Sequence, residues 1–454
     1  MEIGIIVVFV LGYLAITMEH SLRIDKLIPA LAMMAICWAM IAFGIDALPQ
    51  WFDPTFIDEE TGVKGKLLTD FSSFEHHEKM HYLEHGLLHH LGLTAEILVF
   101  LMGAMTIVEI TDHYDGFSAL KKIIKSKKKS VLLWIMAILA FVLSAIIDNL
   151  TATIVLITIL RKIVPKQEDR WWFAGMIIVA ANAGGAWSPI GDVTTTMLWN
   201  GGKVTTGKLV GYLLIPSLVC MLIPTLIASF LPAFKGELEG ERDDSEVGKY
   251  ATPMLILGLS AIIFVPIFKT LTHLPPYIGM MLSLSIVAIV AEILSNREFK
   301  MSQLDGQKDG HPHSPVHGAL GKIEMPSILF FLGILLGVAA LESVGHLFNF
   351  ANILKSSMES DTMVLLLGGG SAVIDNVPLV AASLSMFTEG QDDTLWHFIA
   401  YAAGTGGSML IIGSAAGVVA MGMEKISFFW YLKKISILAI IGYLAGAAVF
   451  MLMR

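Results

Sequence analysis

The chain has 454 residues, of which 55% are hydrophobic and 15% are charged, and its formal net charge is −9. A soluble domain carries about a quarter charged residues, so this composition excludes a soluble globular protein. Apolar runs of about 17–25 residues recur along the whole chain without alternation, which predicts a polytopic membrane protein made of helices. Cys37 and Cys220 lie in apolar runs and are expected to be buried thiols.

Ten apolar segments are predicted to cross the membrane as full helices. In chain order they are 3–18, 27–45, 93–110, 172–198, 208–232, 251–268, 276–294, 325–343, 394–421 and 427–453. The first segment has neither a basic start nor a small-residue cleavage site, so we interpret it as a span rather than a signal peptide. The predicted fold class is therefore an all-α polytopic membrane protein.

Two further apolar segments, 131–164 and 361–389, are interrupted near their middle by polar residues. The arms around the second interruption have only 12 and 11 residues. A helix needs about 20 residues to cross the hydrocarbon core, so we predict that both segments are re-entrant helical hairpins. Such backbone is tolerated only inside protein or beside a water-filled cavity.

The distribution of basic residues predicts the orientation. Six lysines between 121 and 129 precede the first hairpin, and four basic residues between 161 and 170 follow it, so this hairpin is expected to open to the cytoplasm. Counting spans from there places both termini, the acidic and His-rich segment 46–92 and the second hairpin on the outer side. The polar segment 295–324 is expected to be a flexible cytoplasmic loop.

Three pairs of motifs recur in the same order in the two halves of the chain. The hexapeptide SAIIDN (144–149) matches SAVIDN (371–376), the Gly-rich run at 180–197 matches that at 402–421, and VFLMGAMTIVE (99–109) resembles FFLGILLGVAALE (330–342). Each half holds five spans and one hairpin, which predicts an inverted-topology repeat, typical of secondary transporters. We expect the first repeat at 1–232, a cytoplasmic linker at 233–250 and the second repeat at 251–454.

Both hexapeptides place an acid in the membrane. An ionised aspartate there costs several kcal/mol unless it is paired, and neither hairpin offers a nearby Lys or Arg to Asp148 or Asp375. A bound Na⁺ or a proton would neutralise each acid. The neighbouring oxygen ligands suited to Na⁺ are those of Ser144, Asn149, Thr151, Ser371 and Asn376. The alternative is that the Asp-Asn pairs only form turns and cap helices.

The Gly-rich segments are expected to complete this site. The first, NAGGAWSPIGD, carries Asn182 and Asp192 around helix-breaking Gly and Pro, and the second has Gly404 and Ser414 at the matching positions. Broken helices expose backbone carbonyls that a cation can bind. Close helix packing is the alternative explanation for the glycines.

The IDN hairpins, the segment GGAWSPIGDVTT and the entry to the third span, EHGLLHHLGLTAEILVFLMGAMTIVE, resemble the NhaD-type sodium/proton antiporters of the ion transporter superfamily. The resemblance covers nearly the whole chain. It implies a homodimer, a scaffold of outer helices, and a transport domain that contains the hairpins and broken helices and moves as an elevator. The ion-site residues that it implies are Asp148, Asn149, Asn182, Asp192, Asp375 and Asn376.

We therefore predict a multi-pass protein of the cytoplasmic (inner) membrane that exchanges Na⁺ and Li⁺ for H⁺ by alternating access and contributes to pH homeostasis. It is expected to be neither an enzyme nor a nucleic-acid-binding protein, and to need no cofactor. The alternative is a sodium-coupled anion symporter of the dicarboxylate type. A channel is disfavoured because an inverted repeat suits alternating access, and an intramembrane hydrolase because metal and Ser-nucleophile motifs were not found in the sequence.

Two further groups of titratable residues stand out. A stripe at i, i+4 spacing, formed by His77, His81, His85 and His89, suits external pH sensing or metal binding, although a solvated interfacial helix explains it equally simply. Glu109, Asp112 and Glu342 lie near the ends of their spans. They suit an ion path or a gate, and the alternative is that they are solvated helix ends.

Overall fold

The computed structural model describes residues 2–18, 22, 24–57, 64–122, 124, 126–238, 248–304, 314–373 and 376–454. Within these ranges the α-helices are α1 (Glu2–Thr17), α2 (Leu27–Phe43), α3 (His76–His113), α4 (Lys129–Ile147), α5 (Asn149–Ile163), α6 (Gln167–Gly185), α7 (Val193–Asn200), α8 (Thr206–Ser229), α9 (Ala251–Thr272), α10 (Pro276–Leu304), α11 (Pro315–Leu320), α12 (Met325–Ser343), α13 (His346–Ser357), α14 (Ser360–Ser371), α15 (Asn376–Met386), α16 (Thr394–Gly406), α17 (Ala415–Glu424), α18 (Phe428–Lys434) and α19 (Ser436–Met453). The fold is all-α, as predicted.

Seven of these helices are both long and apolar enough to cross a membrane, counted within the described ranges. They are α3, α4, α8, α9, α10, α12 and α19. The other predicted spans are shorter or broken: α1 and α2 have 16 and 17 residues, and the spans at 172–198 and 394–421 are each interrupted, as expected from their Gly-rich sequences.

Three segments differ from the expectation. The last predicted span, 427–453, is split at Ile435, directly after two lysines, so that α18 precedes α19. Helix α10 continues to Leu304, into the predicted flexible loop, because the sequence from 295 to 305 contains neither Gly nor Pro. The segment 46–92 contains an antiparallel hairpin of β1 (Trp51–Ile57) and β2 (Lys64–Leu68) before α3 begins. Neither strand has the strict alternation that would have predicted it.

The two predicted hairpins are present as pairs of helices that pack against each other. Helices α14 and α15 have 12 and 11 residues, the lengths read from the sequence. In the first hairpin α4 has 19 residues, longer than its counterpart and long enough to cross a membrane alone. Its extra length begins at the basic segment, where the Lys129 amino group binds the Asp169 carboxylate at 2.8 Å. The first hairpin is therefore longer than the second.

Each hairpin packs on the broken helix of its own repeat through matching contacts. The Ser144 hydroxyl donates to the Ala181 carbonyl at 2.6 Å, and the Ser371 hydroxyl donates to the Ala403 carbonyl at 3.2 Å. These serines are the first residues of the two repeated hexapeptides, and the two alanines are the second residues of the matching Gly-rich runs. The inverted repeat read from the sequence is therefore reproduced in side-chain contacts.

The two repeats are also joined at the end of α17. The Glu424 carboxylate is fully buried and accepts hydrogen bonds from Arg161 Nε at 2.6 Å and Arg170 Nε at 2.8 Å. Both arginines come from the first repeat, at the end of α5 and the start of α6. This ion pair fixes the second broken helix to the base of the first hairpin.

We predict that Gly184→Ala and Gly406→Ala destabilise the protein to a similar extent. A Cβ atom at either glycine would lie 2.2 Å from a backbone carbonyl oxygen of the neighbouring hairpin arm, that of Phe141 or Gly368. Overpacking of this kind costs about 1–3 kcal/mol. Thermal unfolding in detergent measures it. Gly369→Ala is the control, because a Cβ there meets nothing within 4 Å, and an equal loss of stability in all three variants would contradict the prediction.

Candidate ion-binding site

A single carboxylate, that of Asp192, lies where the first broken helix resumes. Gly185 ends α6, the chain runs irregularly through Pro189 and Gly191, and Asp192 caps α7. One carboxylate oxygen accepts from the Thr194 backbone N–H at 2.9 Å and from its hydroxyl at 2.8 Å. An aspartate in this position satisfies the free N–H groups of the helix start. The other side of the carboxylate faces the two hairpins.

Both hairpin tips donate to this carboxylate. Asn149 Nδ2 lies 2.6 Å from Asp192 Oδ2, and Asn376 Nδ2 lies 3.2 and 3.3 Å from its two oxygens. Asn149 Nδ2 also lies 3.2 Å from Asn182 Oδ1, and Asn182 Nδ2 donates to the Ser414 hydroxyl at 2.9 Å. All five residues are at most 5% exposed. One buried network therefore joins both hairpins and both broken helices.

Asp148 lies at the tip of the first hairpin, between α4 and α5. Its carboxylate accepts from the Thr151 backbone N–H at 2.8 Å and the Thr151 hydroxyl at 2.9 Å, so it caps α5. Its backbone has φ +74° and ψ 156°, a region that costs a side-chain-bearing residue about 1–3 kcal/mol. Among the described residues, Lys, Arg and His form no ion pair with Asp148. A strained, half-buried acid is thus held at the hairpin tip.

Two cavities meet at this tip. A small one lies between Asp148 and Asp192 and is closed by helices α3, α9 and α10. A larger one, of about 340 Å³, extends from Lys162 and Lys322 past Glu109 to Thr151. Met105 lines both cavities. The larger cavity therefore reaches the tip from the side on which the basic residues lie, which the charge distribution assigns to the cytoplasm.

The predicted site residues divide into three groups. Asn149, Asn182, Asp192 and Asn376 come together in the network, Asp148 and Thr151 bind each other beside it, and Ser144 and Ser371 bind backbone carbonyls instead. Asp375 lies outside the described residues.

The prediction omitted Thr194 and Ser414. A helix-capping pattern was the signal in the sequence. Asp192 and Ser414 each precede the second half of a broken helix and cap it, and Thr194 supplies the N–H group that Asp192 caps.

The histidine stripe lies on the first four turns of α3. The rings of His81 and His85 stack with centroids 6.1 Å apart, His77 is exposed and His89 is half-buried. In the described part of the chain, no group of three His, Cys, Asp or Glu side chains is arranged to hold a metal ion. The predicted helical face is confirmed, whereas its role in pH sensing stays a prediction.

Comparisons with known proteins identify the family of this chain. The family profile described as "Citrate transporter" matches residues 6–397. The chain is similar to the Na⁺/H⁺ antiporter NhaD of Alkalimonas amylolytica, with 30% identity over 98% of this chain and 89% of the relative. The chain belongs to the family of NhaD-type sodium/proton antiporters.

Other relatives support this membership. Sodium/proton antiporter 1 of Arabidopsis thaliana is 38% identical over 99% of this chain and 72% of its own length. Among solved structures, the YdaH transporter of Alcanivorax borkumensis matches with a TM-score of 0.61 over 93% of this chain and 98% of that one. At 12% identity this likeness concerns the fold alone. The protein is therefore a multi-pass membrane transporter of this family.

We predict that Thr151→Val lowers the stability of the protein in Na⁺-free buffer, and that Thr151→Ser restores it. Valine keeps the backbone N–H that caps onto Asp148 but removes the hydroxyl donor. A hydrogen bond to a charged group contributes about 1.5–3 kcal/mol. Thermal unfolding in detergent measures the difference, and equal melting temperatures for the valine and serine variants would contradict this role of the hydroxyl.

Proposed function

We propose that this protein exchanges external Na⁺ or Li⁺ for internal H⁺, or the reverse, at the Asp192 network. The observation that carries the proposal is that one buried carboxylate accepts from the amides of both hairpin tips, Asn149 and Asn376. The Asn149, Asn376 and Thr194 side chains that donate to this carboxylate also carry oxygen atoms suited to a hard cation.

The amides explain how one site can serve two ions. In this arrangement Asn149 and Asn376 turn their NH₂ groups towards the carboxylate. Rotation of an amide about its last bond presents the carbonyl oxygen instead, which is the group that Na⁺ binds. Na⁺ and H⁺ then compete for the same negative charge. If the loaded or protonated site crosses and the bare anion does not, exchange is obligatory.

Asp148 and Asp375 are proposed to complete the site as the acids of the two hairpin tips. Thr151, which binds Asp148, lines the cavity on the basic side, and Asp148 lines the smaller cavity beside it, so an ion from the basic side reaches Asp148 after it passes Glu109. We further propose that the hairpins and broken helices move together as an elevator against the outer helices of a homodimer in the cytoplasmic membrane. The proposed repeats, 1–232 and 251–454, form the two halves of this transporter.

The alternative is a sodium-coupled anion symporter. It is favoured by the description of the matched family as citrate transporters. The polar groups of the site argue against it, because the carboxylates of Asp148 and Asp192 line one small cavity and would repel a carboxylate substrate. An anion carrier would need donors there in place of acids.

The test is a transport assay with purified protein in liposomes that carry an inside-acid pH gradient. NaCl, LiCl, KCl, choline chloride or sodium citrate is added outside, and an internal dye reports the pH. We predict that Na⁺ and Li⁺ collapse the gradient, and that citrate adds nothing to the effect of sodium. Asp192→Asn and Asp148→Asn should each slow the response at least about tenfold, because each removes the negative charge that would bind the ion, and hydrogen bonds to a charged group alone contribute about 1.5–3 kcal/mol.

Asp393→Asn is the matched control for these substitutions. Asp393 caps α16 outside the network, and asparagine caps a helix about as well as aspartate. It should transport as the wild type does. Absence of a response to Na⁺ and Li⁺, together with uptake of labelled citrate, would overturn antiport in favour of the symporter.

The histidine stripe is proposed to tune this exchange to external pH. Protonation of the exposed His77, His81 and His85 adds positive charge to the outer start of α3, the helix that continues to the small cavity beside Asp192. Replacing the three by glutamine should shift the pH profile of exchange while leaving its maximum unchanged. An unaltered pH profile in the same liposome assay would show that the stripe is a solvated helix face only.

A further inference from the structure

Glu342 lies apart from the Asp192 network and makes a direct contact with the second hairpin. Its carboxylate, on the last turn of α12, accepts a hydrogen bond from the Ser385 hydroxyl on the last turn of α15 at 2.5 Å. The Glu342 side chain is only 13% exposed. A buried, charge-assisted hydrogen bond therefore connects the second arm of the hairpin to a helix outside the hairpin.

Several charged or titratable side chains surround Glu342. His90 Nδ1 lies 4.0 Å from its carboxylate, with 7% of the His90 side chain exposed. Within the described part of the chain His90 Nε2 is buried without a hydrogen-bond partner. The other charged or titratable groups that face Glu342 are His89 and Lys203. These side chains line a cavity of about 230 Å³ on the side of the β-hairpin, the predicted outer side.

The first repeat holds the corresponding pair in a different state. Thr158 lies nine residues after Asn149 in α5, as Ser385 lies nine residues after Asn376 in α15. Glu109 ends the apolar run of α3, as Glu342 ends that of α12. Both Glu109 and Thr158 line the cavity of about 340 Å³ on the basic side. In the described part of the chain they form no hydrogen bond with each other.

We propose that Glu342–Ser385 and Glu109–Thr158 are a pair of gate contacts, one for each side of the membrane, that close in turn. In this structure the outer contact is closed and the inner contact is open. Closure of the inner pair and opening of the outer pair would give the outward-facing state. The inference rests on the proposed function and specifies which contacts change during its alternating access. It assigns Glu342, Ser385, Glu109 and Thr158 as positioning residues for the hairpins.

A thiol-accessibility measurement tests the gates without any transport. Met105→Cys provides the reporter, since Met105 lines the inner cavity and the native Cys37 and Cys220 are buried. A membrane-impermeant maleimide is added to inside-out vesicles. Ser385→Ala should slow labelling by up to about tenfold, because loss of one hydrogen bond to a charged group shifts the equilibrium towards the outward-facing state by about that factor. Thr158→Val should leave labelling as fast as in the parent protein or make it faster.

Conservative variants distinguish a shift towards the outward-facing state from a general folding defect. Ser385→Thr keeps the hydroxyl and should label as the parent does, and Glu342→Gln should slow labelling in the same direction as Ser385→Ala. Unchanged labelling in Ser385→Ala, or a shift in the same direction in Ser385→Ala and Thr158→Val, would overturn the inference. If Ser385→Ala and Thr158→Val shift the labelling rate in opposite directions but liposomes show no Na⁺/H⁺ exchange, the inference about the gates is supported and the proposed ion exchange is contradicted.

Discussion

The buried carboxylate of Asp192 is the constraint on which the rest of the site depends. A charge at this depth persists only if the protein supplies donors, a cation or a proton. Its donors come from three separate segments: Asn149 and Asn376 at the hairpin tips and Thr194 in its own broken helix. Asn149 also donates to Asn182, which in turn donates to the Ser414 hydroxyl of the other broken helix. The two repeats must therefore stay in register at this point, and an ion that replaces the donors is felt by both hairpins at once.

The two repeats share the same packing contacts but differ in the polar residues that they contribute to the site. Hydroxyl-to-carbonyl contacts by Ser144 and Ser371, and close glycine contacts at Gly184 and Gly406, recur in both halves. The acid that caps a broken helix occurs once, as Asp192, while Ser414 takes its place in the other half. The Asp192 carboxylate therefore serves both hairpins, and a second buried carboxylate at position 414 would add repulsion with Asp192.

The sequence was sufficient for the fold class, the hairpin positions and most residues of the network, because apolar length and repeated motifs are local signals. From the sequence, Asp148 and Asp375 were expected to be the central acids of the ion site and Asp192 a secondary one. In the structure, Asp192 is the acid that accepts hydrogen bonds from the amides of both hairpin tips. Such a contact joins residues 184 positions apart, Asn376 and Asp192, and no local pattern encodes it. The β-hairpin and the end of α10 were missed because their sequences lack a strict period.

The most direct test of the central role of Asp192 is calorimetric titration of the purified protein with NaCl in buffers of different ionisation enthalpy, which counts the protons released as Na⁺ binds. The account predicts that each Na⁺ displaces protons where the site is protonated, that the release falls as the pH rises, and that Asp192→Asn abolishes both binding and release. Na⁺ binding without proton release at every pH, or unchanged binding in Asp192→Asn, would contradict it.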